Sequence, residues 1–505
     1  MTTTVSEQEQ PGGLRRLAGK GLSWSLLGTV GTKIASFGVG LILARLLTPA
    51  DFGGFAVASA VAFFATHISD MGIIAAVVQW RGLKTDSTRD ERAQLLQVAP
   101  TATSLALLFS VVIYGAVWVG APALGALAGG DVDAANLIRL LSLAVLIDGL
   151  TAVRAAALMR QFQQDKLTKA NFAGFAASAV LSIVLALAGS GAYAFAVGQV
   201  VGAAVTGVMV LAYAKVGYGI GFDRKIVGAL MKFGLPLTAS MGVEAVVTNA
   251  DYIIVGRYLG GVALGYYLLA FNISGWAQGI VGSAIRYVSI AAFSRLAGRG
   301  DDSFARGVQK SLRLLILGVI PICVLMAVLA PQLVHVLYGP KWLPAVIVLQ
   351  FLTVLTGVRL VTSFALDSLA GAGISRSALW VNLGWTVALV PTLIIATQLG
   401  GTRGTAIAHG VVSVLVALPL CAIALRKAGV RVWPVIRSAG RPLLAGAIAG
   451  LAAHAVVATT GFQPVVDLIA AGIAGLTSYV AVAIAPSTLR RWALRLSRKT
   501  APAVS

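Results

Sequence analysis

The sequence predicts an all-α polytopic membrane protein of about fourteen transmembrane helices, arranged as two parallel six-helix lobes followed by two further helices. Three observations carry that expectation. Long apolar stretches recur along the whole chain, positive charge collects on every second connection between them, and a motif at the end of the first stretch returns at the end of the seventh.

The chain has 505 residues, of which 58% are hydrophobic and 11% charged, with a mean hydropathy of +0.88. An ordinary soluble domain carries about 25% charged residues, so a large soluble fold is excluded. Crossing the hydrocarbon core of a bilayer takes about 20 mainly apolar residues. After a polar N-terminal tail (1–20), such stretches lie near 21–44, 54–78, 95–118, 137–158, 170–189 and 192–214, making an N-lobe of 21–220. A C-lobe of 221–430 follows, with spans near 234–256, 264–285, 312–337, 345–369, 377–398 and 404–425. Two extra spans near 442–459 and 464–485 fill 431–487, and a basic tail, 488–505, closes the chain.

Charge fixes the expected orientation. The net charge of +21 first suggests nucleic acid, but its distribution argues otherwise. Connections on the cytoplasmic side of membrane proteins carry excess Lys and Arg. With the N-terminus inside, Arg15, Arg16 and Lys20 are cytoplasmic, as are Arg81, Lys84, Arg89 and Arg92 in the next connection on that side. The largest cytoplasmic connection, 286–311, holds Arg286, Arg295, Arg299, Arg306 and Lys310. Outside lie only Arg45, Arg257, Lys341 and Arg403, with Lys33, Arg139 and Arg359 inside or at the edge of spans; the rest of the 39 basic residues fall on the inner side. A missed or extra span would invert the bias downstream. The expectation is therefore a multi-pass membrane protein with both termini in the cytoplasm and no nucleic-acid partner. Cys323 and Cys421 fall inside apolar spans and read as small hydrophobes. No signal-peptide cleavage pattern precedes the first span, which is expected to be retained.

The repeat is specific in its spacing. Ile42-Leu43-Ala44-Arg45-Leu46-Leu47 leads to Phe52-Gly53-Gly54-Phe55 and, shifted by 212 residues, Ile254-Val255-Gly256-Arg257-Tyr258-Leu259 leads to Leu264-Gly265-Tyr266-Tyr267. An even number of spans separates the copies, so the lobes are parallel repeats rather than inverted ones.

Arg45-Leu46-Leu47-Thr48-Pro49-Ala50-Asp51-Phe52-Gly53, together with Asp251-Tyr252-Ile253-Ile254-Val255-Gly256 in the second copy, resembles the bacterial oligosaccharide flippases. These are the Wzx-type polysaccharide transporters of the multidrug/oligosaccharidyl-lipid/polysaccharide exporter superfamily. The resemblance implies a V-shaped, alternating-access pair of lobes that moves a polyprenyl-diphosphate-linked oligosaccharide outward for surface or exopolysaccharide and lipopolysaccharide synthesis. It also implies lipid-linked glycan and the bilayer as partners, with a polysaccharide polymerase and chain-length machinery beside them. A cation-coupled multidrug exporter of the same superfamily is the alternative. A lipid II flippase ranks lower, as does a membrane-embedded glycan polymerase, for which the short outer connections leave little room for a catalytic loop.

Ionisable groups within a bilayer cost about 2.5–3.5 kcal/mol each on insertion scales, so each needs a reason. Lys33 lies mid-way along the first span and Glu244 at similar depth in the seventh, either pairing or releasing one another when a charged ligand enters. Asp251, two turns beyond Glu244, either lines the cavity or pairs with Arg257 near the outer interface. Arg45 and Arg257 hold equivalent outer ends, where they snorkel to the headgroups or meet ligand phosphates. His67 and Asp70 sit one turn apart in the second span as a proton relay or a structural hydrogen bond. Asp148 needs a partner from another span, while Arg154 is expected at the inner interface. In the tenth span Arg359 is a candidate phosphate contact and Asp367 lies about two turns on. Pro236, Pro321 and Pro391 are expected to kink their spans.

No cofactor is expected. Gly13–Lys20 has one residue too many for a P-loop and continues with Gly21 rather than Ser or Thr, and metal-ligand motifs of His-Glu-x-x-His or paired-cysteine type are absent from the sequence. A transporter with no ATPase or hydrolase motif, coupled to protons or Na+, is the expectation.

Overall fold

The computed structural model describes residues 31–70, 72–80, 91–127, 129, 132–214, 219–277, 303–372, 374, 376–460 and 463–483. All of its regular structure is helical. Helix α1 spans 31–46, α2 Pro49–Asp70, α3 Ile73–Val78, α4 Glu91–Leu127, α5 Val132–Arg160, α6 Gln164–Leu187 and α7 Tyr193–Tyr213. Then follow α8 (Arg224–Ala277), α9 (Ser303–Val328), α10 (Ala330–Tyr338), α11 (Ala345–Gly371), α12 (Arg376–Val412), α13 (Leu418–Lys427), α14 (Trp433–Thr460) and α15 (Pro464–Ala483).

Twelve stretches of the described residues are long and apolar enough to cross a membrane. The longest, Leu379–Lys427 with 49 residues, would measure about 74 Å as a straight helix, more than twice the roughly 30 Å of hydrocarbon. It is broken at Gly401 (φ 59°, ψ −148°), as α8 is at Gly260 (φ 81°, ψ 174°). Divided at these glycines, and with α1 counted, the helices follow the fourteen expected spans in order. Such backbone angles are open to glycine and strained for any side chain. The breaks therefore fall on glycine, whereas Pro236, Pro321 and Pro391 lie inside continuous helix and do not interrupt it. The expected second span is interrupted instead: α2 stops at Asp70, and Gly72 (φ 64°) starts the short α3.

The chain divides into two compact units, Met1–Leu268 with Leu393–Thr402 and Leu269–Thr392 with Arg403–Ser505. In the first unit α5 packs against α2, α3, α4 and α7, and α6 packs against α7. One cluster around Val77, Val98, Ala102, Ala156 and Leu230 fills its core. Arg160 braces that end of the bundle, donating from Nη2 to Gln94 Oε1 (2.7 Å) and from Nη1 to the Val77 carbonyl (3.3 Å). In the second unit α9 packs against α11, α14 and α15 around Leu312, Leu360, Phe364 and Leu425. Leu187, Leu399 and Val119 are mostly exposed, as lipid-facing positions are.

Small residues set the helix spacing, as expected where lipid is as apolar as leucine. A Cβ on Gly198 or Gly202 would collide with Ser182 or Ser178, and one on Gly446 would press on Ile320. The closest approaches join the two repeats. A Cβ on Gly53 would overlap the Gly261 carbonyl, and one on Gly265 would overlap the Pro49 carbonyl. Positions 49 and 261, like 53 and 265, are equivalent under the 212-residue shift, so the crossing is its own pseudo-symmetric partner. Likewise a Cβ on Gly129 would overlap the Gly256 carbonyl.

Local chemistry sets up that crossing. Thr48 caps α2: its backbone N–H and its hydroxyl donate to Asp51 Oδ2 (2.8 and 2.7 Å), while the Asp51 N–H donates back to Thr48 Oγ1 (3.3 Å). This is a capping-box arrangement with Pro49 at the first helical position, where no N–H is needed. In the second repeat the Gly260 break turns the chain back so that Tyr267 Oη donates to Asp251 Oδ2 (2.9 Å), both residues being fully buried.

Gly53→Val or Gly265→Val is expected to destabilise by about 1–3 kcal/mol through backbone overpacking, seen as a lower melting temperature of the detergent-purified protein. Val at Gly275, where a Cβ meets open space, is the control that leaves it in place. Removing one partner of a buried hydrogen bond leaves the other unsatisfied, so Tyr267→Phe is expected to cost about 1–3 kcal/mol, measured by the same melt.

Candidate functional site

Polar side chains converge inside the first unit on a cavity of about 600 Å³. Its wall takes Thr32, Lys33 and Ser36 from α1, Thr66, Ser69 and Asp70 from α2, Ser110 from α4, Asp148 and Thr151 from α5, Gln164, Thr168 and Asn171 from α6, and Thr206 from α7. Apolar Ile74, Ala152, Ala155, Met159, Leu167 and Val210 complete it.

Helical periodicity explains how each element presents its polar face. Lys33 and Ser36 are one turn apart, as are Thr66 and Asp70, and Gln164, Thr168 and Asn171 recur at the four- and three-residue spacings of a single face. Several of these hydroxyls are partly committed. Ser36 donates to the Thr32 carbonyl (2.7 Å), Ser69 to Thr66 (2.9 Å) and Thr151 to Ile147 (3.0 Å). Such i−3 and i−4 bonds satisfy the hydroxyl proton and leave its lone pairs pointing to the cavity. Asp70 uses one oxygen to accept from the Ile74 N–H (3.3 Å), stitching α2 to α3 across the Gly72 break. Beside Asp148, Gly149 leaves room for the Ser110 side chain, which a Cβ would strike. The result is a chamber with one ammonium, two carboxylates and a lining of hydroxyl and amide groups. It can hold polyhydroxylated matter by hydrogen bonds, an anion through Lys33 and a cation through Asp70 and Asp148.

The structure brings together Lys33 and Asp70 from the expected set and adds Asp148, which the sequence left in need of a partner. Thr66, Ser69, Ser110, Gln164, Thr168 and Asn171 were not singled out in advance. The available signal was the recurrence of hydroxyl and amide residues at helical spacing on otherwise apolar spans. His67 is not among the residues of the cavity wall; its Nδ1 lies 2.9 Å from the own-helix Phe63 carbonyl and its ring packs against the Phe63 ring.

Other expected residues are placed differently. Asp251 is not on the cavity wall: it is sealed in its bond to Tyr267, because a carboxylate at that depth is stable only when its oxygens are satisfied. Glu244 lies on α8, its side chain outside the described residues. Arg45 and Arg257 are exposed at the ends of their spans, as snorkelling side chains are. Arg154, expected at the inner interface, is buried at 3% exposure and donates from Nη1 to the Leu150 carbonyl (2.9 Å). Arg359 and Asp367 belong to the second unit. Arg359 is nearly buried with its guanidinium 5.1 Å from the Phe271 ring centre, and Asp367 is half-buried. Among the described residues no group of three or more His, Cys, Asp or Glu is placed to hold a metal ion.

Residues 42–347 match the family described as polysaccharide biosynthesis protein. The chain is 25% identical over 414 residues to the lipopolysaccharide biosynthesis protein WzxC of Escherichia coli (strain K12), covering 80% of each chain. It is 25% identical over 361 residues to the succinoglycan biosynthesis transport protein ExoT of Rhizobium meliloti (strain 1021), covering 72% of this chain and 70% of that one. Among solved structures it shares the fold of the lipid II flippase MurJ in an inward closed conformation, with a TM-score of 0.76, 13% identity, and coverage of 91% of this chain and 98% of that one. The family match extends over more than half of the sequence and takes in both copies of the repeat motif, and on that ground the chain belongs to the polysaccharide biosynthesis protein family of multi-pass membrane proteins.

Proposed function

We propose that the protein is a secondary flippase that carries a polyprenyl-diphosphate-linked oligosaccharide from the inner to the outer leaflet of the bacterial cytoplasmic membrane. Both termini lie in the cytoplasm, on the side where basic residues collect. The single observation that carries this reading is the hydroxyl- and amide-lined cavity built around Lys33, Asp70 and Asp148 within an otherwise apolar bundle. A sugar needs many weak polar contacts, which threonines, serines and amides supply without a fixed charge. Lys33 meets the diphosphate; Arg359 is a candidate phosphate contact within the second unit.

Asp70 and Asp148 take up the coupling proton or Na+. Two carboxylates facing one chamber resist being ionised together, so a cation that joins them lowers the cost of holding both. Transport then draws on an ion gradient rather than on ATP, and the exported glycan passes to a polysaccharide polymerase and its chain-length machinery.

The same two carboxylates suit a cation-coupled exporter of cationic drugs, which is the second reading. Proteoliposomes separate the two. Purified protein is expected to expose a lipid-linked oligosaccharide to an external glycosidase while moving no cationic dye; dye efflux without glycan exposure reverses the order. Lys33→Ala is expected to slow glycan exposure by about tenfold or more, the worth of one charge-assisted contact, and an unchanged rate removes Lys33 from the site. Asp148→Asn is expected to abolish the acceleration by an imposed proton or Na+ gradient while the unfolding temperature holds. If the variant keeps that acceleration, coupling lies elsewhere.

A further inference from the structure

A second recess, in the other unit, carries a different chemistry. On the first turns of α9, close to the start of α14, Arg306, Gln309, Lys310, Arg313 and Leu314 line a notch of about 430 Å³. The three basic residues recur at spacings of four and three, so they share one side of α9. Its walls are held in place by side-chain bonds to the neighbouring segment. Gln309 Nε2 donates to the Arg431 carbonyl (3.0 Å) and Arg313 Nη2 to the Pro434 carbonyl (3.4 Å). A guanidinium has five N–H donors, so Arg313 keeps most of its fork for something else. Arg431 and Arg437 are exposed nearby in sequence on the α14 side, and no acidic residue is among those lining the notch.

The notch is not simply a solvated basic patch. Leu314 on α9 is 60% exposed, and Trp433 and Ile436 at the start of α14 are 65% and 55% exposed. Cationic donors therefore sit against an exposed apolar strip that belongs at the edge of the hydrocarbon, with a tryptophan at the interfacial depth such rings favour. A soluble anion would use only the donors; a phospholipid uses both parts. Basic pockets between helices at a membrane surface are suited to phosphate headgroups.

We infer that this notch binds the phosphate headgroup of an anionic phospholipid, with its acyl chains lying along Leu314 and Ile436. The leaflet is the one that the basic connections face. Calling that leaflet cytoplasmic rests on the orientation proposed above, whereas the binding does not.

Native mass spectrometry of the full-length, delipidated protein with added phosphatidylglycerol tests this without any transport step, so failure here and failure of the flippase reading are distinguishable. Phosphatidylglycerol is expected to be retained and to raise the melting temperature, with phosphatidylcholine retained far less. The Arg306→Gln, Lys310→Gln double variant is expected to bind phosphatidylglycerol about thirty-fold more weakly. Lys310→Arg, which keeps the charge, retains the lipid and guards against a mere folding defect. Equal retention by wild type and double variant overturns the inference. So does an equal thermal shift from inorganic phosphate alone, or displacement of the phospholipid from the wild type by an equimolar polyprenyl diphosphate, which would mark the notch as a docking point for the carrier lipid.

Discussion

A bilayer offers no water to an orphaned backbone group or charge, and the rest of this structure follows from that constraint. It forces the crossing segments into helices, and the breaks within the long spans fall on Gly72, Gly260 and Gly401. It also sends hydroxyls back to their own backbone, as Thr238 does to Gly234, Thr397 to Leu393 and Ser413 to His409. A carboxylate within the membrane must be closed off or placed in a wet chamber. Asp251 takes the first course with Tyr267; Asp70 and Asp148 take the second.

The motif that marks the family is, in this chain, mostly a piece of helix engineering. Thr48 and Asp51 cap α2, Pro49 begins it, and Gly53 lets its backbone meet that of the second repeat at Gly261. The equivalent Gly265 returns the contact at Pro49. Duplication has thus produced two segments that pack on each other through backbone rather than side chains. Such a contact has no rotamers with which to absorb a change, so its tolerance for added volume is low.

Two polar features of different chemistry stand on this frame. The chamber of the first unit mixes one cation, two anions and many neutral hydrogen-bonding groups, a composition matched to a sugar with a charge nearby. The notch on α9 carries charge of one sign only, from Arg306, Lys310 and Arg313, is backed by exposed leucine, isoleucine and tryptophan, and is matched to a phosphate with a tail. The contrast between them is one of charge balance: mixed charge with hydroxyls selects by shape, and unmixed charge selects by sign.

Span number, the repeat and the spacing of ionisable groups along the spans were legible in the chain because each is a one-dimensional property. Hydropathy sets span length, the positive bias sets alternation, and the 212-residue shift is visible as letters. The breaks at Gly260 and Gly401 were harder to place, since glycine is common in membrane helices and only the folded backbone reveals which ones take positive φ. The sealed Asp251–Tyr267 pair, the burial of Arg154 and the convergence of Asp148 with Lys33 depend on how helices are rotated about their axes. That rotation is decided by packing of small residues against neighbouring helices, because in an environment apolar on all sides hydrophobicity no longer says which face turns inward. Sequence alone determined how often and in what order the chain crosses; tertiary structure alone decided which polar side chains meet.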